Sequence, residues 1–170
     1  LEDRYYLEVK DADKEDPNVP IILENNKFTG AFENMTEMYA LPKYNEIDPT
    51  PLFAPFYAFF SGMMVGDLGY GLIVFIATLL ILKTCNLSNA QKKSFRFFNY
   101  LSIGAMFWGA IYGSFMGGII ELPGLIDPAK DSMTVIGLSL IFGGIHLFFA
   151  LGIKGYLDIR DGKPFDAVLD

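Results

Sequence analysis

The chain has 170 residues, of which 52% are apolar, and it carries a formal net charge of −7. Most of its acids lie in residues 1–50, which hold twelve acids and five bases, so the charge describes a solvated segment and not a nucleic-acid-binding surface. The single cysteine, Cys85, excludes an intrachain disulfide and leaves the redox compartment undefined.

Charged residues are almost missing from three later stretches. Residues 51–82 contain only Asp67, residues 97–120 contain none, and residues 133–153 contain no Asp, Glu, Lys or Arg. Uncharged apolar runs of about 18 residues or more are typical of membrane-spanning helices. The sequence therefore predicts an all-α, polytopic membrane protein, with a transmembrane domain over 51–170 after a mostly irregular polar segment. Because the first residue is Leu and not Met, we expect a piece of a longer polypeptide, and proteolytic processing is the alternative.

One helical pattern lies inside the polar segment, over about 28–40. Its apolar residues recur at the spacing of a single helix face, with Glu33 elsewhere on the helix surface; they are Phe28, Phe32, Met35 and Tyr39. We expect this short helix to lie on the membrane surface or on a partner. The acidic stretch before it, residues 1–18, is typical of a solvated loop.

The stretch over 51–82 is too long for one ordinary crossing. As a straight helix its 32 residues would be about 48 Å long, whereas the hydrocarbon core of a bilayer is about 30 Å thick. Such a helix would need a tilt of roughly 50°, outside the usual range of about 0–40°. A single helix remains the alternative to a break inside the stretch.

The middle of this stretch favours the break. Gly66, Gly69 and Gly71 surround Asp67, and glycines around an acid are typical of a turn. We predict a short helical hairpin, with helices at about 51–65 and 71–83 and a tight turn between them.

Two longer transmembrane helices follow, at about 97–119 and 133–155. Small residues recur every four positions in the first and reappear in the second, and such faces permit close helix–helix packing; they are Ala105, Gly109, Gly113 and Gly117, then Ser139 and Gly143.

Loop charges predict the orientation. Residues 83–96 carry four bases and no acid, so this loop should be cytoplasmic, whereas residues 121–132 are mainly acidic and should lie outside. With a hairpin over 51–82, the N-terminal segment and the C-terminal tail are both cytoplasmic.

Several motifs resemble one protein family. The sequence PKYNEIDPTP, followed by FFSGMMVGDLGYGLIVF, is similar to the membrane entry of the large stator subunit, subunit a or subunit I, of vacuolar-type and archaeal-type rotary ATPases. Further likeness lies in VPIILENNKFTGAFENMTEMY before this motif, and in WGAIYGSFMGG and IFGGIHLFFALGIKGYLDIRDGK after it. The resemblance covers about 19–170.

The resemblance implies a role in proton transport coupled to ATP synthesis or hydrolysis. The family has a cytoplasmic arm held by peripheral stalk subunits, and eight membrane helices beside a rotating proteolipid ring. This chain would supply the end of the arm and the first four helices, next to the remaining helices of the same subunit and the lipid bilayer. Its short outer loop is similar to prokaryotic members, which implies a plasma-membrane location.

The family's proton-transferring arginine has no counterpart here. That residue lies on the seventh membrane helix, and no Arg or Lys occurs inside the apolar runs of this chain. The resemblance therefore implies a part of a proton translocase that is not catalytic by itself.

Three intramembrane polar residues are candidates for chemistry. Asp67 has two interpretations. It either caps the helix that follows it, or it pairs with a cation or lines a water-filled path, because an acid at the bilayer centre costs about 2.5–3.5 kcal/mol on insertion scales. His146 is either a neutral residue hydrogen-bonded to a neighbouring helix or a proton relay. Glu121, at the outer end of its helix, is interpreted as interfacial. The sequence contains no metal-ligand spacing, phosphate-binding loop or nucleophile–base pair, so no cofactor is predicted.

The leading hypothesis is a stator role, in which the chain anchors the cytoplasmic arm and braces the ring-facing proton half-channels. One alternative is a self-contained small ion transporter or channel that uses Asp67 and His146. Another is a membrane anchor for a soluble partner, with residues 1–50 as the docking segment.

Overall fold

The computed structural model describes residues 21–42, 46–160 and 162. The elements in this part of the chain are, in order, a 3₁₀ turn (Thr29–Ala31), α1 (Glu33–Tyr39), α2 (Thr50–Val65), α3 (Leu68–Thr84), α4 (Asn89–Tyr112), β1 (Ser114–Phe115), β2 (Ile120–Glu121) and α5 (Ser132–Arg160). The predicted solvated loop over 1–18 and most of the predicted C-terminal tail lie outside the described residues.

The predicted amphipathic helix over 28–40 is present as the 3₁₀ turn followed by α1. Phe32, between the two, is completely buried and packs on Phe97 of α4 with ring centroids 5.2 Å apart. Tyr39, expected on the same face, is 91% exposed, because α1 ends there and Ala40 is extended. The segment therefore docks on helices of its own chain through its first turns.

The chain breaks between α2 and α3 at Gly66 and Asp67. Gly66 has a φ of +45°, a left-handed backbone that ends α2 and that glycine adopts most easily. Asp67 is the N-cap of α3, and its side chain accepts a hydrogen bond from the Tyr70 backbone N–H. The turn is thus shorter than the predicted 66–71, and α3 begins at Leu68.

Gly69 and Gly71 are helical residues of α3, so their assignment to the turn is wrong. A Cβ at Gly69 would lie 2.6 Å from Cγ of Met116, and one at Gly71 would lie 2.9 Å from the backbone nitrogen of Met106. Both distances are below van der Waals contact. The two glycines let α3 approach its neighbours closely, which explains their presence without a turn.

Helix α2 runs parallel to α4. The Tyr57 and Phe97 rings are 5.8 Å apart, at the middle of α2 and in the first half of α4. One to two turns later, a Cβ on Gly62 would lie 2.4 Å from the carbonyl carbon of Gly104, so the two backbones are nearly in contact.

Helix α3 runs antiparallel to α4. Gly71 lies against Met106, whereas Thr78, further along α3, accepts a hydrogen bond of 2.9 Å from Asn99, which is earlier in α4. The chain therefore reverses direction between α2 and α3, as the hairpin prediction requires, and a single straight helix over 51–82 is wrong. Both α2 and α3 pack chiefly along α4.

Helix α4 begins eight residues before the predicted helix at 97–119. Ser88 and Gln91 form a capping box, in which each side chain bonds the other residue's backbone N–H, and this starts the helix at Asn89. At the other end Gly113, with a φ of +66°, stops the helix after Tyr112.

The predicted strip of small residues is therefore correct only in its first half. Ala105 and Gly109 are buried in α4, but Gly113 is the C-cap and Gly117, with a φ of +71°, lies in the loop beyond the helix. The helix-packing role predicted for Gly113 and Gly117 is wrong.

Two short strands depart from the all-α prediction. β1 and β2 pair antiparallel, with Ser114 opposite Glu121 and Phe115 opposite Ile120. The loop between them contains Met116 at a φ of +51°, together with two glycines of positive φ.

Helix α5 is longer than the predicted 133–155. Its 29 residues correspond to about 43 Å, and among the described residues it is the one helix long and apolar enough to cross a membrane by length and composition. The prediction of two long transmembrane helices is not confirmed by this measure, since α4 does not meet it.

Helix α5 lies against α2 through aromatic side chains. Phe142 contacts Phe59 and Phe149 contacts Phe56, each with centroids 5.0 Å apart, so α5 is antiparallel to α2. No described residue of α5 is buried. Neither Ser139 nor Gly143 is covered: Ser139 is exposed and Gly143 has open space around it. Their packing role stays a prediction.

Candidate functional site

Asp67 occupies the turn at one end of the helices and is 4% exposed. Its Oδ1 accepts hydrogen bonds from the backbone N–H groups of Tyr70 at 2.9 Å and Met116 at 3.0 Å. Its Oδ2 accepts from the backbone N–H of Gly117 at 2.6 Å and from Oγ of Ser114 at 3.0 Å. The carboxylate thus joins the start of α3 to the loop after α4.

The backbone around Asp67 is brought to α4 by a glycine. A Cβ on Gly109 would lie 2.1 Å from the backbone nitrogen of Leu68, so any other residue there would push the turn away. The left-handed φ of Met116 costs about 1–2 kcal/mol for a residue with a Cβ, and the hydrogen bond from its N–H to Asp67 helps to offset that cost.

The groups that contact the Asp67 carboxylate are hydrogen-bond donors. All four donors are uncharged, and within the described ranges no Lys, Arg or His side chain forms an ion pair with it. Of the two interpretations of Asp67, the helix cap is the one whose contacts are present in the structure.

A cleft of about 1140 Å³ lies beside this turn. Among the side chains around it are Met63 and Val65 of α2, Tyr112 of α4 and Lys130 of the loop between β2 and α5. The Tyr112 hydroxyl is buried and has no hydrogen-bond partner among the described residues. In the same loop, the hydrogen bond from Lys130 lowers the pKa of the Asp127 carboxyl.

His146 lies away from Asp67, in an aromatic cluster. Its ring stacks on Phe56 at 4.6 Å and lies 5.7 Å from Phe60. Phe56 is eleven residues before Asp67, which corresponds to about 16 Å along a helix. The structure therefore does not bring His146 and Asp67 together. Glu121, the third candidate, lies in β2.

A second polar site joins the N-terminal segment to α4, and the sequence interpretation missed it. Glu33, expected on the exposed surface of α1, is only 4% exposed and forms an ion pair with Lys93. Asn34 donates a hydrogen bond of 3.3 Å to Ser94 on the next position of α4. These contacts link residues sixty positions apart.

The same junction also contacts α2. Thr36 and Thr50 share a hydrogen bond of 2.7 Å, and Thr50, the first residue of α2, is completely buried. Phe32 packs on Tyr57 and Phe97 from the two helices. We call the contacts of residues 32–36 with α2 and α4 the arm junction. Aromatic residues at 28 and 32 predicted an apolar contact here, but nothing local indicated the partners.

None of these sites has metal-binding chemistry. Within residues 21–42, 46–160 and 162, no group of three His, Cys, Asp or Glu side chains could hold a metal ion.

The fold and these contacts define a class of protein. It is a helical protein with one apolar helix long enough to span a membrane. Its helices are joined by polar contacts at Asp67 and at the arm junction, where a polar N-terminal segment is docked. Comparison with known proteins identifies the family. Residues 4–123 match the V-type ATPase 116kDa subunit family, and the chain belongs to that family.

Curated relatives agree with this assignment. The A-type ATP synthase subunit I of Pyrococcus abyssi is 34% identical over 172 residues, covering 97% of this chain and 26% of the relative. The protein of the same name in Pyrococcus horikoshii is 37% identical over 159 residues, covering 89% and 23%. The V-type ATP synthase subunit I 2 of Treponema pallidum is 35% identical over 119 residues, covering 70% and 26%. The chain spans about a quarter of the length of these relatives, and the resemblance seen in its motifs is confirmed.

Proposed function

We propose that this chain is the part of a rotary-ATPase stator subunit in which the cytoplasmic arm enters the membrane. It anchors the arm to the first membrane helices, and these helices brace the ring-facing helices that form the proton half-channels elsewhere in the subunit. The observation that carries this proposal is the arm junction, where the buried Glu33 pairs with Lys93 of α4.

A stator must resist the torque of a rotating ring, so its arm has to be fixed to its membrane helices. The arm junction combines an ion pair, a hydrogen bond between Thr36 and Thr50, and the fully buried Phe32 ring between α2 and α4. Because the contacts involve two helices, the segment can neither slide along one helix nor rotate about it without breaking several of them.

The proposed membrane arrangement has α2 and α3 as a short pair, followed by α4 and α5. The arm junction and the basic residues of 83–96 lie at the same end of the helices, since Glu33 binds Lys93. The positive-inside rule assigns that end to the cytoplasm. Helix α5 is antiparallel to α2, so its C-terminal end returns to the same side. This supports a cytoplasmic location for both termini, in a prokaryotic plasma membrane.

The partners follow from the same proposal. They are the lipid bilayer, the remaining helices of the subunit, the proteolipid ring and the peripheral stalk subunits. The self-contained transporter is less well supported, because Asp67 bonds to backbone amides and His146 stacks on phenylalanines without a shared contact. The membrane-anchor alternative uses the same docking segment, but it does not require resistance to torque.

The test is to change Glu33→Gln in the full-length subunit of the assembled ATPase. Lys93, whose side chain is 39% exposed, would lose its anionic partner at a part-buried contact, and solvent screening limits the cost to about 1 kcal/mol. We expect ATP hydrolysis to continue while ATP-driven proton pumping falls at least twofold, since the arm slips relative to the helices.

Glu37→Gln is the matched control, because Glu37 is an exposed residue of the same helix. The double variant Glu33→Lys with Lys93→Glu, which reverses the ion pair, should pump better than Glu33→Lys alone. If Glu33→Gln and Glu37→Gln pump as well as the wild type, the arm junction does not carry the coupling and the membrane-anchor alternative gains.

A further inference from the structure

A small pocket of about 290 Å³ lies beside the arm junction, between the irregular residues before the 3₁₀ turn and the first turns of α4. Three of the side chains around it are basic: Lys27, Lys93 and Arg96. Lys93 is engaged by Glu33, whereas Arg96 is exposed and forms no hydrogen bond or ion pair with any described residue. The Arg96 guanidinium at the pocket therefore has no anionic partner within the part of the chain that the structure describes.

The position of Arg96 along the sequence fixes its depth. It is the last charged residue before the uncharged run over 97–120. Basic residues directly next to an apolar span lie at the level of the lipid headgroups. A ligand at Arg96 is therefore held where the charged part of α4 gives way to its uncharged part.

The local charge favours an anion. Two carboxylates also line the pocket, those of Glu24 and Glu33. Glu33 is paired with Lys93, so the remaining charges are one carboxylate, Glu24, against two bases, all three exposed to solvent. Lys27 and Arg96 then remain to attract a negative group, and the planar guanidinium fork suits two oxygens of one phosphate.

We propose that this pocket binds the phosphate headgroup of an anionic phospholipid, with the acyl chains lying in the bilayer beside the uncharged part of α4. The proposal rests on the membrane arrangement proposed above. A bound lipid would fill the space between the docked N-terminal segment and the bilayer, and would thereby hold the arm junction at the membrane surface.

The experiment uses the intact ATPase in nanodiscs of phosphatidylcholine that contain a trace of photoactivatable phosphatidylglycerol. Labelling of the subunit is measured while unlabelled phosphatidylglycerol or phosphatidylcholine competes. We expect phosphatidylglycerol to compete at least tenfold better in the wild type. Arg96→Gln should reduce this preference about fivefold, since one basic side chain at a membrane surface contributes about 1 kcal/mol to attraction for anionic lipid. Arg96→Lys, which keeps the charge but loses the fork, should reduce it about twofold.

Lys92→Gln is the matched control, because Lys92 is an exposed base one turn earlier on α4 and does not line the pocket. It should change the preference less than twofold. Equal effects of Arg96→Gln and Lys92→Gln would mean a diffuse surface attraction and would overturn the proposal. So would competition by millimolar glycerol phosphate as effective as that by the lipid, which would indicate a site for small anions. Failure of the membrane arrangement itself would be seen independently, by cysteine labelling of the loops.

Discussion

Replacing Asp67 by Asn tests whether the carboxylate holds the turn and the loop after α4 together. The change preserves the size of the side chain but removes its charge and converts one oxygen into an NH₂ group. In the wild type both oxygens accept two hydrogen bonds each, and the shortest one comes from the Gly117 backbone N–H at 2.6 Å. An asparagine cannot reproduce this pattern, because its NH₂ group is a donor.

The magnitude follows from the four bonds. If the asparagine oxygen keeps the bonds from Tyr70 and Met116, the NH₂ group faces the N–H of Gly117, and that bond is lost. A hydrogen bond to a charged group contributes about 1.5–3 kcal/mol. The two retained bonds become neutral and weaken by about 0.5–1 kcal/mol each, whereas the Ser114 hydroxyl can turn to accept. The sum is about 3 kcal/mol against the closed loop.

Hydrogen–deuterium exchange of the full-length subunit measures this opening. A cost of about 3 kcal/mol corresponds to roughly 100-fold faster exchange, and we expect it for the amides of Met116 and Gly117. Asp127→Asn, a change in the same loop region at a residue that Lys130 pairs with, should leave those amides unchanged. Exchange within threefold of the wild type in Asp67→Asn would refute the reasoning.

Three further predictions concern topology, packing and transport. Single cysteines near Asn89 should be protected from impermeant thiol reagents added outside intact cells, and those near Asp127 should react; the reverse pattern would contradict the orientation. Gly109→Ala should lower the yield of folded subunit, because its Cβ would meet the Leu68 nitrogen at 2.1 Å and overpacking costs about 1–3 kcal/mol. Gly137→Ala, with open space around it, should not lower it. The purified 170-residue chain in liposomes should leak no more protons than empty vesicles under an imposed potential; a flux abolished by His146→Ala would favour the transporter.

The break in the first apolar stretch could be predicted because its signals are local. A length of 32 residues without charge, apart from Asp67, conflicts with the thickness of a bilayer. Gly66 then supplies the backbone conformation that ends α2, and Asp67 supplies the cap that starts α3. The three glycines near Asp67 led to a predicted turn that was too long. Sequence alone does not distinguish a glycine needed for positive φ from one needed for close packing.

The arm junction could not be predicted, because its contacts join residues distant in the sequence. Glu33 looks like a solvated residue on the polar face of a short helix, and its burial depends on Lys93, sixty positions later. The contact of Gly62 with Gly104 was missed for the same reason. Each glycine has a local pattern of its own, but the pairing depends on how α2 and α4 are aligned.

Helix α4 takes part in three contacts: with the N-terminal segment, with α2, and with the turn at Asp67. These contacts give the proposed stator role a physical basis. Between helices in lipid there is little hydrophobic driving force, so close van der Waals packing and hydrogen bonds have to hold them together. Lys93 fixes the arm segment near the start of α4, Gly104 lies against α2 in the middle, and Gly109 admits the Asp67 turn near its end. A force on the arm at Glu33 is therefore applied directly to α4, which cannot move without separating backbones already in contact with α2 and α3. The load would then pass to the rest of the subunit through all three helices and not through a single flexible connection.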